Sequence, residues 1–145
     1  MKDLLYLKDD QIKEFIEHIF YAYRETYSDP KKILKKHSFG TAHHRAIPLI
    51  ERNNGITISG LLKKLKITKQ SLNRVIRDLT KNKTIYIKKG EIDSRQRQIF
   101  LNEKGKKIFN EIFNLQKKRI YNALLNSNSE EVINFDNVLS KIING

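Results

Sequence analysis

Apolar residues recur along this chain at helical spacing, then at strand spacing, then at helical spacing again. Ile12, Phe15, Ile16, Ile19, Phe20 and Tyr23 fall at steps of three and four, which predicts a helix over residues 9–27 with Asp9 or Asp10 as its N-cap. Asp29-Pro30, a lysine cluster and Gly40 mark residues 28–40 as a break and connector. Thr41 stands where it can cap a second helix, which stops near Asn53-Asn54-Gly55. Pro48 lies inside that helix. An interior proline removes one hydrogen bond and costs about 3 kcal/mol, so a kink or a shorter helix is expected.

Thr57 heads a short helix carrying Leu61, Leu62 and Leu65. After a tight turn at Lys66-Ile67, Thr68 heads another, in which Leu72, Val75, Ile76 and Leu79 form one apolar stripe. Two short helices across a turn of three or four residues make a helix-turn-helix. Ile85-Tyr86-Ile87 and Gln98-Ile99-Phe100-Leu101 then alternate as strands do, separated by Lys88-Lys89-Gly90 and a polar tip. They predict a hairpin, and a hairpin after the second helix is a wing. Asn102 can cap a long helix from Glu103 to near Asn126, with Ile108, Ile112, Leu115 and Ile120 inward. Ser129, Glu130 and Glu131 open a last helix carrying Val132, Phe135, Val138, Leu139 and Ile142.

The predicted class is mainly α with a small β-hairpin, in the order α-α-α-α-β-β-α-α. One domain over residues 1–145 is expected, with a winged helix-turn-helix lobe at 41–101. Segments 1–27 and 106–145 are too apolar to stand alone around so small a core. They are expected to pair across a two-fold axis, making a homodimer.

Charge sharpens this division. The chain carries +13, unevenly. Residues 1–30 hold four basic and seven acidic groups, whereas residues 63–107 hold fifteen basic and four acidic. Residues 120–145 are again net negative, at −2. A basic middle between acidic ends suits a polyanion, because phosphate contacts release counterions and dominate affinity. A generally basic surface would spread the charge evenly, and no basic amphipathic anchor helix argues for a membrane. No apolar run approaches the roughly 18 residues of a membrane span, and the start MKDLLYLKDD is too acidic for a signal peptide. The chain has no cysteine, hence no disulfide framework and no thiolate metal site, and a reducing cytoplasm is the expected compartment.

Outside its apolar stripe, the helix over 69–82 offers Lys69, Gln70, Ser71, Asn73, Arg74 and Arg77, with Thr68 at its head. Arg and Lys read guanine, and Asn and Gln read adenine, through major-groove edges. An ordinary solvated face would be mixed in sign and richer in Glu, but Asp78 is its only acid. At the hairpin tip, Asp93 stands two residues before Arg95 and can hold that guanidinium for entry into a minor groove. Lys88, Lys89 and Arg97 add charge beside it, against the alternative of a flexible polar loop. His43 and His44 point about 100° apart on a helix and cannot easily share a metal. One is expected to pack at a junction and the other to meet solvent or phosphate. No glycine-rich phosphate loop, nucleophile elbow or zinc-type His-Glu-x-x-His is present, so no enzyme, metal or cofactor is expected.

Asp93-Ser94-Arg95 followed by Leu101-Asn102-Glu103-Lys104-Gly105 resembles the MarR family, whose wing reads Asp-x-Arg and then Leu-Thr-x-x-Gly. Asn102 replaces the usual Thr, and both cap helices well. The flanking helices extend the resemblance over nearly the whole chain. Ala42-His43-His44-Arg45 and Ile67-Thr68-Lys69-Gln70-Ser71-Leu72 further resemble an alphaproteobacterial branch. The resemblance implies homodimers on pseudo-palindromic operators in double-stranded DNA, often released by a small-molecule effector bound between dimerisation helices and DNA-binding lobe. Tyr23, Tyr27, Phe39 and His44 are the residues of this chain that such a pocket would use. A sequence-tolerant architectural DNA protein is one rival, and a winged-helix sensor or interaction module without DNA binding is another.

Overall fold

Leu72, Val75, Ile76 and Leu79 are all buried, so the helix carrying them has one side against a core and the other in water. The structure, a computed structural model, describes residues 4–145; the first three residues of the expected dimerisation segment lie outside it. A 3-10 turn at Leu5–Leu7 precedes α1 (Asp9–Ser28), α2 (Lys31–Lys36) and α3 (Thr41–Arg52). Then come β1 (Ile56–Thr57), α4 (Ile58–Leu65), α5 (Lys69–Lys81), β2 (Ile85–Lys89), β3 (Arg97–Leu101), α6 (Glu103–Leu125) and α7 (Ser129–Asn144). The class is as expected, mainly helical with a small antiparallel sheet.

The chain divides into two units: residues 30–113, and the segment ending at Asp29 together with Asn114–Gly145. Every buried apolar residue described, from Leu34 to Ile112, belongs to the first unit. Its core joins Ala46, Ile47 and Ile50 of α3 to Leu61 of α4 and the α5 stripe, and the inner face of the hairpin, Ile85, Ile99 and Leu101, closes it.

Several elements differ from the sequence reading. The supposed connector at 28–40 contains α2, which exists because Leu34 is buried and which ends where Ser38 turns to φ 58° and Phe39 N–H reaches the Leu34 carbonyl at 2.8 Å. Two apolar residues in six are too few for periodicity to register. The N-cap of α3 is Gly40, with Thr41 already helical, and that of α1 is Lys8. Asp9 and Asp10 occupy the first turn of α1 instead, where negative charge suits the helix dipole. Proline does not shorten α3, which keeps Ala46, Ile47 and Ile50 fully buried on both sides of Pro48.

A third strand, β1, was also absent from the sequence reading. It pairs antiparallel with β3, Ile56 opposite Ile99, giving the order β1-β3-β2, and Gly55 at φ 86° donates to the Ile99 carbonyl at 3.1 Å. Two residues cannot display a period, and their partner lies more than forty positions on.

In the terminal unit, Arg119 holds Asp29 through two bonds, Nε to Oδ2 at 2.7 Å and Nη2 to Oδ1 at 3.0 Å, which keep this carboxyl below the usual carboxylate range. Gln116 donates to the Thr26 carbonyl at 3.0 Å. Asn128 and Glu131 cap α7 reciprocally, at 2.8 and 3.1 Å. Leu115 and Ile120 are not inward in the single chain, being 39% and 44% exposed, and no described residue of α1 or α7 is buried. Among the described residues no helix is long and apolar enough to cross a membrane.

The hairpin closes onto the start of α6. Asn102 N–H donates to the Thr84 carbonyl at 3.1 Å, and Asn102 Oδ1 caps α6 at Gly105 N–H, 2.9 Å away. A Cβ on Gly105 would stand 2.1 Å from the Thr84 carbonyl oxygen. Gly105→Ala is therefore expected to destabilise the fold by roughly 1–3 kcal/mol or more, since backbone on both sides must shift. Chemical denaturation measures this, and an unchanged midpoint would refute the junction.

Candidate nucleic-acid interface

Thr68 starts α5 by accepting the Ser71 N–H at 3.1 Å and donating to the Ser71 hydroxyl at 2.9 Å. Its hydroxyl is thus engaged in the cap. From that start, Gln70, Asn73, Arg74 and Arg77 follow steps of three and four down the side opposite the buried stripe. All four are exposed, as are Lys69 and Ser71. Among the described residues, Lys69, Gln70, Asn73, Arg74 and Arg77 take no hydrogen-bond or ion-pair partner within the chain. Five long polar side chains on a rigid helix, with their donors unspent, form a surface able to read an array of acceptors. The turn before them is set by Lys66, in the left-handed conformation at φ 51°.

The hairpin tip is organised rather than loose. Asp93 Oδ1 accepts the Arg95 N–H at 3.0 Å and lies 3.4 Å from Arg95 Nε, an Asx-type turn with the guanidinium leaning on the same oxygen. Gln96 N–H donates to the Asp93 carbonyl at 3.1 Å, and Gly90 N–H donates to the Gln96 carbonyl at 3.0 Å. Gly90 is required there, because a Cβ would meet the Asp93 carbonyl oxygen at 2.6 Å. Arg97 Nη1 donates to the Ser94 carbonyl at 3.0 Å. The Arg95 side chain stays 91% exposed, so Asp93 fixes its base while its tip projects. Lys88 and Lys89 are exposed on β2, with Lys88 Nζ 5.7 Å from the Phe100 ring centre. Ile92, beside Asp93, is fully exposed, and periodicity gives no hint of it because it belongs to no element.

The two histidines diverge, and neither faces solvent as expected. His44 is 2% exposed in the core of residues 30–113. His43 Nδ1 accepts the Gly40 N–H at 3.0 Å, and its Nε2 lies 2.9 Å from Asp78 Oδ2 on α5. This pair joins residues 35 positions apart and is the feature that sequence reasoning missed. The signal available was Asp78 itself, a lone acid on a basic helix. Nearby, burial and the Lys104 ammonium push His37 below the ordinary histidine value.

The four residues expected to line a pocket are split between the units. Phe39 is buried and stacks on His43 at 5.1 Å, while Tyr23 and Tyr27 pair at 4.8 Å on α1. Within residues 30–113, a cavity of about 350 Å³ is lined by others, among them Glu51, Leu101 and Phe109.

No family model matches the chain. Over 140 residues, 97% of this chain and 84% of the relative, it is 39% identical to the HTH-type transcriptional regulator PetP of Rhodobacter capsulatus. A MarR transcriptional regulator from Methanosarcina mazei shares the fold at a TM-score of 0.70 and 25% identity, with 90% of this chain and 95% of that one covered. A Staphylococcus aureus MepR mutant bound to an oligodeoxyribonucleotide matches at a TM-score of 0.62 and 17% identity, over 90% and 96% of the two chains. Staphylococcus aureus MarR in complex with salicylate and kanamycin matches at 0.72 and 20%, over 92% and 91%.

Proposed function

This chain belongs to the MarR family of winged helix-turn-helix transcriptional regulators, and we propose that it reads a pseudo-palindromic operator as a homodimer, with α5 in the major groove and the wing in the minor groove. It is a DNA-binding regulator and not an enzyme. The observation that carries the finer reading is the exposed, unpartnered stripe of Gln70, Asn73, Arg74 and Arg77 opposite four buried apolar residues. Lys69, Ser71 and the Thr68 cap belong to the same edge, and Lys88, Lys89 and Arg97 flank the wing. The lobe over 41–101 carries the DNA contacts in this reading, and segments 1–27 and 106–145 carry the dimer. The cytoplasm is the compartment proposed.

A duplex selected from a random library by the purified protein provides the test. Asn73→Ala or Arg74→Ala should each cost about 1–3 kcal/mol on that duplex and less on random DNA. Equal losses on both would reduce these residues to phosphate contacts. The half-site centres should lie about 10 base pairs apart, because a dyad places two recognition helices in successive major grooves. An architectural protein would select no such site, and the basic stripe itself argues against a sensor without DNA binding.

The wing makes a separate demand, one of sign. Arg95→Ala should weaken binding more on A·T-flanked operators than on G·C-flanked ones, because narrow A·T grooves concentrate negative potential. Asp93→Asn should weaken binding too, by loosening the base of Arg95. Simple electrostatics predicts the reverse, since one negative charge near DNA is lost. Tighter binding by Asp93→Asn across a salt series would exclude a positioned arginine.

Dimerisation is supported by the apolar exposure of the terminal unit: Phe20 is 55% exposed, Phe135 57%, Leu125 68% and Ile143 79%. So large an apolar surface on a small protein marks an interface. Ile143→Glu alters no buried position of the single chain, so it should leave the fold intact, shift sedimentation toward the monomer and weaken operator binding. A wild-type monomer at micromolar concentration would end this reading. A small-molecule effector completes the proposal, supported by the salicylate-bound relative. Salicylate added to the protein–duplex complex tests it, with release in its favour and no release at millimolar concentration against it.

A further inference from the structure

Asp78 is the only acid on α5, and next to DNA it opposes binding. It lies four positions after Arg74 and only about 40° round the helix from it, beside the surface that faces the groove in the reading above. A carboxylate there calls for a reason, and the first turn of α3 supplies one.

His43 is held at both ring nitrogens. Gly40 donates its N–H to Nδ1 at 3.0 Å, so the ring proton stands on Nε2 and is donated to Asp78 Oδ2 at 2.9 Å. Phe39, itself 7% exposed, stacks on the imidazole at 5.1 Å and 15°. The His43 side chain is 14% exposed and that of Asp78 45%, so one wall of this bond is dry and the other wet. One turn further on, at the C-cap of α5, Asn82 Nδ2 donates to the His37 carbonyl at 3.2 Å, and Lys104 Nζ donates to Asn82 Oδ1 at 2.6 Å. The segment His37–His43 therefore grips α5 at two points one turn apart, all within residues 30–113.

We infer that His43 is a positioning residue for DNA recognition: its Nε2–H bond to Asp78 sets the rotation of α5 about its own axis and so aims Asn73 and Arg74. The apolar stripe fixes which side of α5 is buried, but branched aliphatic side chains slide over one another more readily than a directional bond bends. Productive recognition geometry tolerates only about 10–20°. The inference rests on α5 being the recognition helix.

Separate imitation of the two nitrogens gives the test. Glutamine reproduces the Nε2 donor and asparagine the Nδ1 acceptor. His43→Asn keeps the Gly40 cap but loses Asp78, and should bind the selected duplex about tenfold more weakly, about 1.4 kcal/mol. Random DNA should change less than twofold, because phosphate contacts need no fixed rotation. His43→Gln should restore most of the loss. Asp78→Ala removes the same bond from the exposed side without touching α3, so it remains informative if His43→Asn fails to fold. It too should weaken operator binding, although it removes a negative charge. Combined with His43→Asn it should cost no more than either alone, because both break one bond.

Wild-type or tighter operator binding by Asp78→Ala would overturn the inference, as would additive losses in the double variant. Asn73→Ala and Arg74→Ala, measured beside them, separate the two ideas. If those two leave specificity unmoved, base readout fails and the aiming of Asn73 and Arg74 by His43 fails with it, even where His43→Asn lowers specificity. The opposite pattern removes the clamp alone.

Discussion

The hairpin is closed at its base where α6 approaches the end of α5 with room for a hydrogen atom and no carbon, the Gly105–Thr84 contact. The chain leaves α5 through Lys83 at φ 57° and enters β2 at once, so Thr84 is the last residue before the wing. Its carbonyl accepts Asn102 N–H, Asn102 Nδ2 donates to the Lys83 carbonyl, and Lys104 Nζ donates to the Asn82 carbonyl at 2.8 Å. Three consecutive carbonyls just past the end of α5 are thus tied to the start of α6. The wing is what lies between these tied ends. Its direction relative to α5 follows from this junction, and major- and minor-groove contacts can coincide only if that direction is fixed. The family's Leu-Thr-x-x-Gly pattern has a physical content here: Leu101 buried in the core, Asn102 as cap and backbone tie, Gly105 as the point of closest approach.

What could be read from the sequence shares one property, namely that the signal was local and repeated. The α5 stripe recurs through two turns behind a Thr cap that accepts the Ser71 amide, and the hairpin strands are adjacent in sequence, with apolar residues alternating at Ile85-Tyr86-Ile87 and Gln98-Ile99-Phe100-Leu101. The Asp93–Arg95 contact was legible because it spans two positions. What was missed is short or distant. β1 has two residues, α2 has six, and the His43–Asp78 bond joins positions 35 apart. The inward placing of Leu115 and Ile120 failed differently. Periodicity reports that a face is apolar and not whether the chain's own core covers it.

The same reasoning explains why charge and apolarity separate along the chain. Burial is confined to residues 30–112, where the basic groups are densest, so the lobe keeps its own core and spends its lysines and arginines on its surface. The terminal segments reverse this, with acidic balance and wide apolar exposure. Asp9, Asp10 and Glu130 stand in the first turns of α1 and α7, where negative charge offsets the helix dipole. Segregation thus suits both proposed surfaces, a basic one for phosphate and an apolar one for a second copy.

The two proposed reading elements are prepared to different degrees, and this decides how each can contribute. Side chains on α5 stand on a helix whose opposite face is packed and whose one acid is held by His43, so their order is set before any DNA arrives. Binding then costs only their own rotamer freedom, about 0.5–1.5 kcal/mol each. Arg95 instead projects from a loop held by backbone bonds and one carboxylate, with its side chain largely in water. Ordering that tip costs more for each hydrogen bond it makes to DNA. The return comes only where the potential is steep, as in a narrow groove, so in the proposed reading the wing would test the shape of the flanks and α5 the identity of the bases. Specificity would therefore fall most sharply with changes that turn α5, and more gently with changes that loosen the wing.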